Sequence, residues 1–343
     1  MYFKSDNTAP AAPEILAALG AANHGFARSY GEDDWSARLD SRFSELFERP
    51  VRVFPVATGT AANALALATL VPPWGAILAH DEAHIVRDEC GAPEFMSAGA
   101  RILLLHGPGA KLTPAAIDAC IAANPASVHT VQPRAVSLTQ ATELGTVYTP
   151  GELAAVGAAA RRHGLAVHVD GARFANAVAS LGCSPADLTW RAGVDVLSFG
   201  ATKNGALGAE AVVFFDTGRI ADFELRRKRA AHLLSKMRYV SVQLLAYLQD
   251  GLWLRLAARA NALAAQVAAA CGTRLLHPVQ SNEVFLHLGS AGAAALRAAG
   301  FEFYDWGATG SGEARLVVSW NQPQDDVDRL CDALQRLPAE GMP

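Results

Sequence analysis

Short apolar runs alternate with longer alanine-rich stretches through the first two thirds of the chain. The short runs are rich in β-branched residues, and the stretches between them carry apolar positions at helical spacing. This alternation is typical of βαβ units that build a parallel sheet. It predicts strands at 51–56, 76–79, 101–105, 135–138, 166–169, 194–199 and 211–215, and helices that include 60–70, 113–122 and 150–163.

The helix at 150–163 has signals at both ends. Thr149 is a suitable cap, Pro150 fits the first turn, and Glu152 stands three residues after the cap. His163 and Gly164 then supply a cation in the last turn and a glycine after it. These signals predict a helix that begins and ends within this segment.

The pattern changes beyond about residue 216. It predicts a long basic helix from 220 to about 240, a second from 253 to about 270, and then a small α+β unit. That unit has strands at 284–288 and 315–319, a helix at 291–299 and a last helix from Pro323. The basic run 226–229 on the first helix is a solvated face, a subunit contact or the edge of an anion site.

Composition narrows the class of protein. With 343 residues, 51% hydrophobic and 18% charged, the chain can bury a large core. A net charge of −4 creates no field that would attract a polyanion, so we expect small metabolites rather than nucleic acid as partners.

The cysteines and the hydropathy of the chain indicate where in the cell the protein is expected. The five cysteines are widely spread and contain no C-x-x-C pair, which favours reduced thiols over disulfides or structural zinc. No apolar run approaches the roughly 18 residues needed to span a bilayer, and Lys4, Asp6 and two prolines interrupt the first 13 residues. We therefore predict a soluble, cytoplasmic protein that does not contact membranes.

Two charged residues follow neighbouring predicted strands. Asp170 ends one strand, and Lys203 comes 33 residues later, after the next strand and between Gly200 and Gly205. Pyridoxal 5'-phosphate (PLP) enzymes need such a lysine for a Schiff base and such an acid for the pyridine nitrogen. The alternatives are an ordinary surface lysine and an aspartate that caps a helix.

Two further segments follow strand ends. Gly59 and Thr60 open a predicted helix whose free N–H groups could hold a phosphate, although ordinary helix caps look similar. His84 could stack on a flat ring or carry a proton, or be structural. His80 and His84 could bind a metal together only if both lay on one face of a helix. The stretch after Leu78 looks like a loop instead, so we predict no metal.

Ten ordered blocks of the chain match one family. They are SDN (5–7), YGED (30–33), TGTAAN (58–63), AH (83–84), DECGAPE (88–94), TQATE (139–143), DGARF (170–174), TKNG (202–205), KMR (236–238) and RLVVSW (315–320). In these blocks the chain resembles the low-specificity L-threonine aldolases, most of all the bacterial branch that also cleaves phenylserine-type substrates.

This resemblance implies an α/β, fold-type I PLP-dependent transferase-like fold: a mainly parallel central sheet flanked by helices, with a smaller α+β C-terminal domain. We expect an N-terminal segment near the active site (1–20), a large PLP-binding domain (21–250) and a small domain (251–343). A homodimer or homotetramer with active sites at the subunit boundary is also implied.

The resemblance assigns roles to the cofactor residues. It implies that Lys203 forms the internal aldimine, Asp170 pairs with the pyridine nitrogen and His84 stacks on the ring. Gly59 and Thr60 would hold the phosphate.

The resemblance assigns a second set of residues to the substrate and the subunit boundary. Arg173, Arg315 and Ser5 would hold the substrate carboxylate, and Arg173 would also contact the cofactor. Arg238 would reach a phosphate site near the subunit boundary. Tyr30 of one subunit would contribute to the active site of the other subunit in a dimer.

The implied reaction is retro-aldol cleavage of L-threonine, L-allo-threonine and phenylserine through an external aldimine, which yields glycine and an aldehyde. Many threonine aldolases carry a histidine where this chain has 139–143, so the base stays open among His84, Glu89, a water and the cofactor phosphate. The alternatives are a β-eliminating lyase, racemase or aminotransferase of the same fold, or a non-catalytic binding protein.

Overall fold

A seven-stranded sheet lies at the centre of the computed structural model, which describes residues 1–338. Its strands are β1 (Arg52–Val56), β2 (Gly75–His80), β3 (Arg101–Leu105), β4 (Gln132–Thr139), β5 (Ala166–Gly171), β6 (Val196–Gly200) and β7 (Glu210–Phe214). The spatial order is β1-β7-β6-β5-β4-β2-β3, and only the pairings of β7 with β1 and β6 are antiparallel. The predicted mainly parallel sheet is confirmed, with all seven strands present.

Both faces of this sheet are covered, which explains why its strands are continuously apolar. Successive residues point to opposite faces, so Leu197 packs into one core with Phe43 and Phe174, whereas Val196 packs into the other with Leu65. The helices are α1 (Pro13–Ala22), α2 (Asp34–Ala37), α3 (Leu39–Phe47), α4 (Gly59–Leu70), α5 (His84–Arg87), α6 (Ala92–Met96), α7 (Pro114–Ala123), α8 (Pro150–Arg162), α9 (Phe174–Leu181), α10 (Ile220–Arg229), α11 (Arg238–Leu248), α12 (Leu252–Cys271), α13 (Gly289–Ala298) and α14 (Gln324–Arg336).

Helix α8 begins as its sequence predicts. The Thr149 hydroxyl accepts a hydrogen bond from the Glu152 N–H, and the Glu152 carboxylate accepts one from the Thr149 N–H. This reciprocal pair satisfies two N–H groups that would otherwise lack a partner at the helix start.

The prediction of one long helix from 220 to about 240 is wrong. Helix α10 ends at Arg229, Ala231 takes a left-handed φ of 63°, and α11 begins only at Arg238. Phe223 in α10 packs in the core on one face of the sheet, whereas Met237 packs in the core on the other. A single straight helix cannot reach both faces, so the chain breaks between them.

A second, three-stranded antiparallel sheet is formed by β8 (Glu283–His287), β9 (Tyr304–Trp306) and β10 (Glu313–Val317), in the order β8-β10-β9. Strand β9 was not predicted, because three half-exposed residues carry no clear alternation. Helix α12 joins the two cores: Trp253 packs in the large one and Val267 in the small one. The domain limits at 20 and 250 stay predictions.

The N-terminal strand-like segment is tied to the second sheet. Phe3 donates its N–H to Glu302 and accepts one from Val317, and its side chain is fully buried in the small core. These contacts direct residues 5–8 back toward the large sheet. Across residues 1–338, no helix combines the length and the apolar character needed to cross a membrane.

Candidate functional site

A cavity of about 280 Å³ opens at the carboxyl ends of β4, β5 and β6, the edge where ligands bind in open α/β sheets. Its polar lining comprises Asn7, Thr58, Thr60, Asn63, His84, Glu89, Thr139, Glu143, Asp170, Arg173, Ser198, Thr202, Lys203 and Glu210. Of the predicted site residues, Lys203, Asp170, His84, Glu89, Gly59, Thr60 and Arg173 line it, and Ser5, Tyr30, Arg238 and Arg315 do not.

Lys203 lies in a 3-10 turn directly after β6. Two glycines make room for that turn. A Cβ on Gly200 would lie 2.6 Å from the Ala172 carbonyl oxygen, and Gly205 takes a φ of 103°. Within residues 1–338 no side chain or carbonyl forms a hydrogen bond or ion pair with the Lys203 amine. The amine is therefore free to react.

Asp170 is buried and held by two donors. The Asn63 amide donates to Oδ2 at 2.8 Å, and the Ala172 N–H donates to Oδ1 at 2.9 Å. The cap of the following helix is Arg173, so the alternative of Asp170 as a helix cap is wrong. This carboxylate faces the cavity with a fixed orientation.

A buried histidine supports β5 beneath Asp170. His168 is hydrogen-bonded between the hydroxyls of Ser137 and Ser198, at 2.9 Å to each. Burial lowers the pKa of His168 to about 4, so its ring is neutral near pH 7. The sequence analysis did not identify this role.

The start of α4 has an open cradle for an anion. The Thr58 hydroxyl accepts the Ala61 N–H, while the N–H groups of Gly59 and Thr60 have no hydrogen-bond partner among the described residues. A Cβ on Gly59 would meet nothing within 4 Å. The helix dipole and these free donors favour a phosphate here.

His84, Glu89, Asn63 and Asp170 form one hydrogen-bonded chain. His84 Nδ1 lies 2.8 Å from Glu89 Oε1, and the Asn63 amide donates to that same oxygen and to Asp170 Oδ2. The hydrogen bond from Glu89 raises the pKa of His84, and burial raises the pKa of Glu89. The predicted loop is confined to residues 81–83, because His80 ends β2 and His84 begins the short helix α5, so the two histidines do not share a helix face.

Three residues of this hydrogen-bonded chain are also potential metal ligands. In the described part of the chain, His84, Glu89 and Asp170 form one group whose potential ligand atoms lie within 4.8 Å of one another. The Asn63 amide, however, places N–H donors between the two carboxylates. A cation would have to displace these donors, so the geometry fits a hydrogen-bond network rather than a metal centre.

Two acids that the sequence analysis did not assign also line the cavity. Burial raises the pKa of Glu143 and of Glu210 to about 7. Glu143 follows β4, in the stretch that the sequence analysis noted only for its missing histidine. Glu210 accepts the Ala201 N–H at 2.9 Å and lies at the start of β7. For Glu143, the available sequence signal was a short polar stretch directly after the buried strand β4.

The two predicted carboxylate-binding arginines are joined by acids. Arg173 binds Asp6 and lies 3.3 Å from Glu283 Oε2, and Arg315 binds Glu283 Oε1 at 2.8 Å. Asp6 and Glu283 were not predicted. Ser5, in contrast, accepts the Asn7 N–H as a local cap and does not line the cavity.

Tyr30 and Arg238 lie away from the cavity of their own chain. Tyr30 is 47% exposed, and the Lys228 ammonium lies 4.4 Å from its ring centroid. Arg238 donates to the carbonyls of His24 and Gly25 at 3.4 Å. In the basic run of α10, Arg227 is buried, whereas Lys228 and Arg229 are exposed, so a fully solvated face is wrong for that run.

Comparison with known proteins gives one consistent result. A family profile described as "Beta-eliminating lyase" matches residues 2–291. Two proteins named "Low specificity L-threonine aldolase" are similar: the one from a Pseudomonas species is 46% identical over 96% of this chain and 95% of its own, and the one from Pseudomonas aeruginosa is 47% identical over 96% and 94%. A solved threonine aldolase structure from Leishmania major superposes with a TM-score of 0.92 at 30% identity and covers 98% of this chain and 99% of its own.

Proposed function

Because this chain belongs to the β-eliminating lyase family, and within it to the low-specificity L-threonine aldolases, we propose that its cavity uses Lys203 and Asp170 to cleave β-hydroxy-α-amino acids. The chain is a PLP-dependent carbon–carbon lyase of fold-type I that acts on small-molecule amino acid substrates and releases glycine and an aldehyde. The observation that carries the residue assignment is the unpaired Lys203 amine in the same cavity as the anchored Asp170 carboxylate.

The residues present fit this cofactor. Lys203 would bind its carbonyl carbon, Asp170 its ring nitrogen, His84 a ring face, and the free N–H groups of Gly59 and Thr60 its phosphate. When bound, PLP supplies an electron sink for charge that develops on the substrate Cα. The Asn63 and Ala172 donors fix the orientation of Asp170, whose carboxylate would hold a proton on the ring nitrogen of the bound cofactor.

The arginine pair would bind the substrate carboxylate. Arg173 reaches the cavity, and Arg315 is coupled to it through Glu283. Guanidinium groups offer two parallel donors to a carboxylate, a geometry that a lysine lacks. Holding the carboxylate fixes the rotation of the substrate about its N–Cα bond, and this rotation selects which bond at Cα breaks. Ser5 stays a predicted contact of the substrate carboxylate, although it lies outside the cavity lining.

We include phenylserine and L-allo-threonine in the substrate range, beside L-threonine. The test is an activity panel on the holoenzyme with these three substrates, in which glycine and aldehyde are measured together. Equal amounts of both products support the proposal. Pyruvate, racemised substrate or amino-group transfer without glycine would instead indicate a β-eliminating lyase, a racemase or an aminotransferase.

Lys203→Ala is the matched variant for that panel. The visible absorbance band of the protein-bound cofactor should vanish, and cleavage should stop. A wild-type protein that takes up no PLP would favour a non-catalytic binding protein. A Lys203→Ala variant that keeps both the band and the activity would remove Lys203 from its proposed role.

The remaining predictions concern assembly and location. We propose a homodimer or homotetramer in which Tyr30 and Arg238 act at the cavity of a neighbouring subunit, since both lie outside the cavity of their own chain. Tyr30→Phe should then lower activity without changing the molar mass in light scattering. A fully active variant would contradict this role. Cytoplasmic location stays a prediction.

A further inference from the structure

Glu143 has one carboxylate oxygen that is bound and one that is not. Its Oε1 accepts the His84 N–H and the Thr139 hydroxyl, both at 2.7 Å. Its Oε2 is buried and has no hydrogen-bond partner in the described part of the chain. Glu143 lines the cavity, and the two bonds at Oε1 fix its carboxylate. Oε2, which solvent does not reach, is left as an unused acceptor for a ligand.

The surroundings of Glu143 set its protonation. Burial raises its pKa to about 7, the Thr139 hydrogen bond lowers it, and the Asp170 charge raises it. The charge of Glu143 in turn raises the pKa of Arg173 and of the buried Tyr148 phenol. A group whose pKa lies near the working pH is well suited to accept and return a proton.

The neighbouring titratable groups are less suited to remove a proton. The hydrogen bond with Glu89 occupies Nδ1 of His84 and raises the pKa of its ring. Glu89 also has a buried Oε2 without a partner, but its Oε1 is bonded to both His84 and the Asn63 amide, so a proton on the Glu89 carboxyl group would weaken both interactions. Glu143 forms no ion pair within residues 1–338, although the charge of Arg173 acts on it from a distance.

We propose that Glu143 is a catalytic residue that accepts the proton of the substrate β-hydroxyl at Oε2. This inference rests on the proposed function. The O–H bond breaks and its proton passes to Oε2, while the oxygen electron pair forms the aldehyde C=O bond. The Cα–Cβ bond breaks, its electron pair stays on Cα, and a proton returned to Cα completes glycine.

The first test compares Glu143→Gln with wild-type holoenzyme. The amide keeps the shape of the side chain but cannot take up a proton, so kcat should fall by about 10²- to 10⁴-fold while KM and the cofactor absorbance change little. Glu94→Gln is the matched control, because its Oε2 is also buried without a partner but Glu94 does not line the cavity.

A second test follows the titration itself. In cofactor-free protein, infrared difference spectra should show two carboxylic acids that ionise near pH 7, Glu143 and Glu210, and Glu143→Gln should lose one of the two signals. Thr139→Val removes a hydrogen bond that lowers the pKa of Glu143, so the rising limb of kcat/KM should move to higher pH. An unmoved limb would overturn the proposal even if Glu143→Gln did not fold.

The outcomes separate this inference from the proposed function. A wild-type holoenzyme that releases no glycine and aldehyde overturns both. A wild type that cleaves, beside a Glu143→Gln variant whose kcat lies within about threefold of it, overturns only the role of Glu143.

Discussion

Asp6 holds the guanidinium of Arg173 through two hydrogen bonds, from Nε to Oδ2 at 2.7 Å and from NH2 to Oδ1 at 2.9 Å. Both side chains are buried, and Asn282 donates to the same aspartate at 3.0 Å. The N-terminal segment thereby sets the direction of an arginine that lines the cavity. Arg173 is held before any substrate arrives.

Asp6→Asn should weaken substrate binding more than it slows the chemical step. The amide keeps the size of the side chain but leaves Arg173 with one acid fewer, and breaking a buried pair destabilises a protein by about 3 kcal/mol. We expect a raised KM for L-threonine and a lower free energy of unfolding. Asp325→Asn, at an exposed site in α14, is the control. Unchanged KM and stability in Asp6→Asn would contradict this role.

Asp6 should also contribute to the pH dependence of stability. Burial raises its pKa, but the charges of Arg173 and Lys203 and the hydrogen bonds from Arg173 and Asn282 lower it to about 2, below the ordinary aspartate pKa of 3.8. Its stabilising contribution is therefore present above pH 3.8 and is lost as the pH falls through 2. Chemical unfolding of wild type and Asp6→Asn at several acidic pH values should show a smaller pH dependence in the variant. If the free energy of unfolding changed with pH equally in both proteins, Asp6 would not contribute to the pH dependence of stability.

Asp170→Ala should abolish most turnover while the fold is retained. The substitution removes the carboxylate that we propose keeps a proton on the ring nitrogen, and removing one such electrostatic contact costs about 10²-fold or more in kcat. Circular dichroism checks the fold, and Asp118→Ala, an exposed acid paired with Arg162 and His163, is the control. Near-normal activity would remove Asp170 from its proposed role.

Arg315→Ala should raise KM, because Arg315 would bind the substrate carboxylate and is coupled to Arg173 by Glu283. Removing a charged hydrogen-bond partner costs about 2 kcal/mol, or roughly thirtyfold in kcat/KM. Arg297→Ala provides a comparable variant, since Arg297 pairs with Asp305 at an exposed site. If the substrate dependence of Arg315→Ala matched that of wild type, Arg315 would not bind substrate.

Gly200→Ala should weaken cofactor binding and destabilise the fold. Its Cβ would lie 2.6 Å from the carbonyl oxygen of Ala172, which lines the cavity, and backbone cannot move aside cheaply. Overpacking of this kind costs about 1–3 kcal/mol. Thermal unfolding with and without PLP measures both effects. Gly208→Ala is the control, because its Cβ would meet nothing within 4 Å, and equal behaviour of the two variants would refute this account.

The sequence alone predicted the features that depend on neighbours along the chain. Alternating apolar runs placed all seven strands of the large sheet, and the capping residues placed the start of α8. The carboxyl ends of parallel strands meet at one edge of a sheet, so the sequence places Asp170 and Lys203 at one cavity. These inferences succeed because periodicity and capping are local properties of the backbone.

Only the tertiary structure decided which side chains meet across long separations. Asp6 and Arg173 are 167 residues apart, and no periodicity relates them. In the sequence, Glu143 is only a polar residue that follows a strand. In the folded chain, His84 and Thr139 bind one of its carboxylate oxygens and leave the other unpaired, and burial raises its pKa. The break between α10 and α11 arises because the two helices pack on opposite faces of the sheet. Burial and charge pairing depend on the packed chain, so they emerge only when the sheet, the N-terminal segment and the small sheet are brought together.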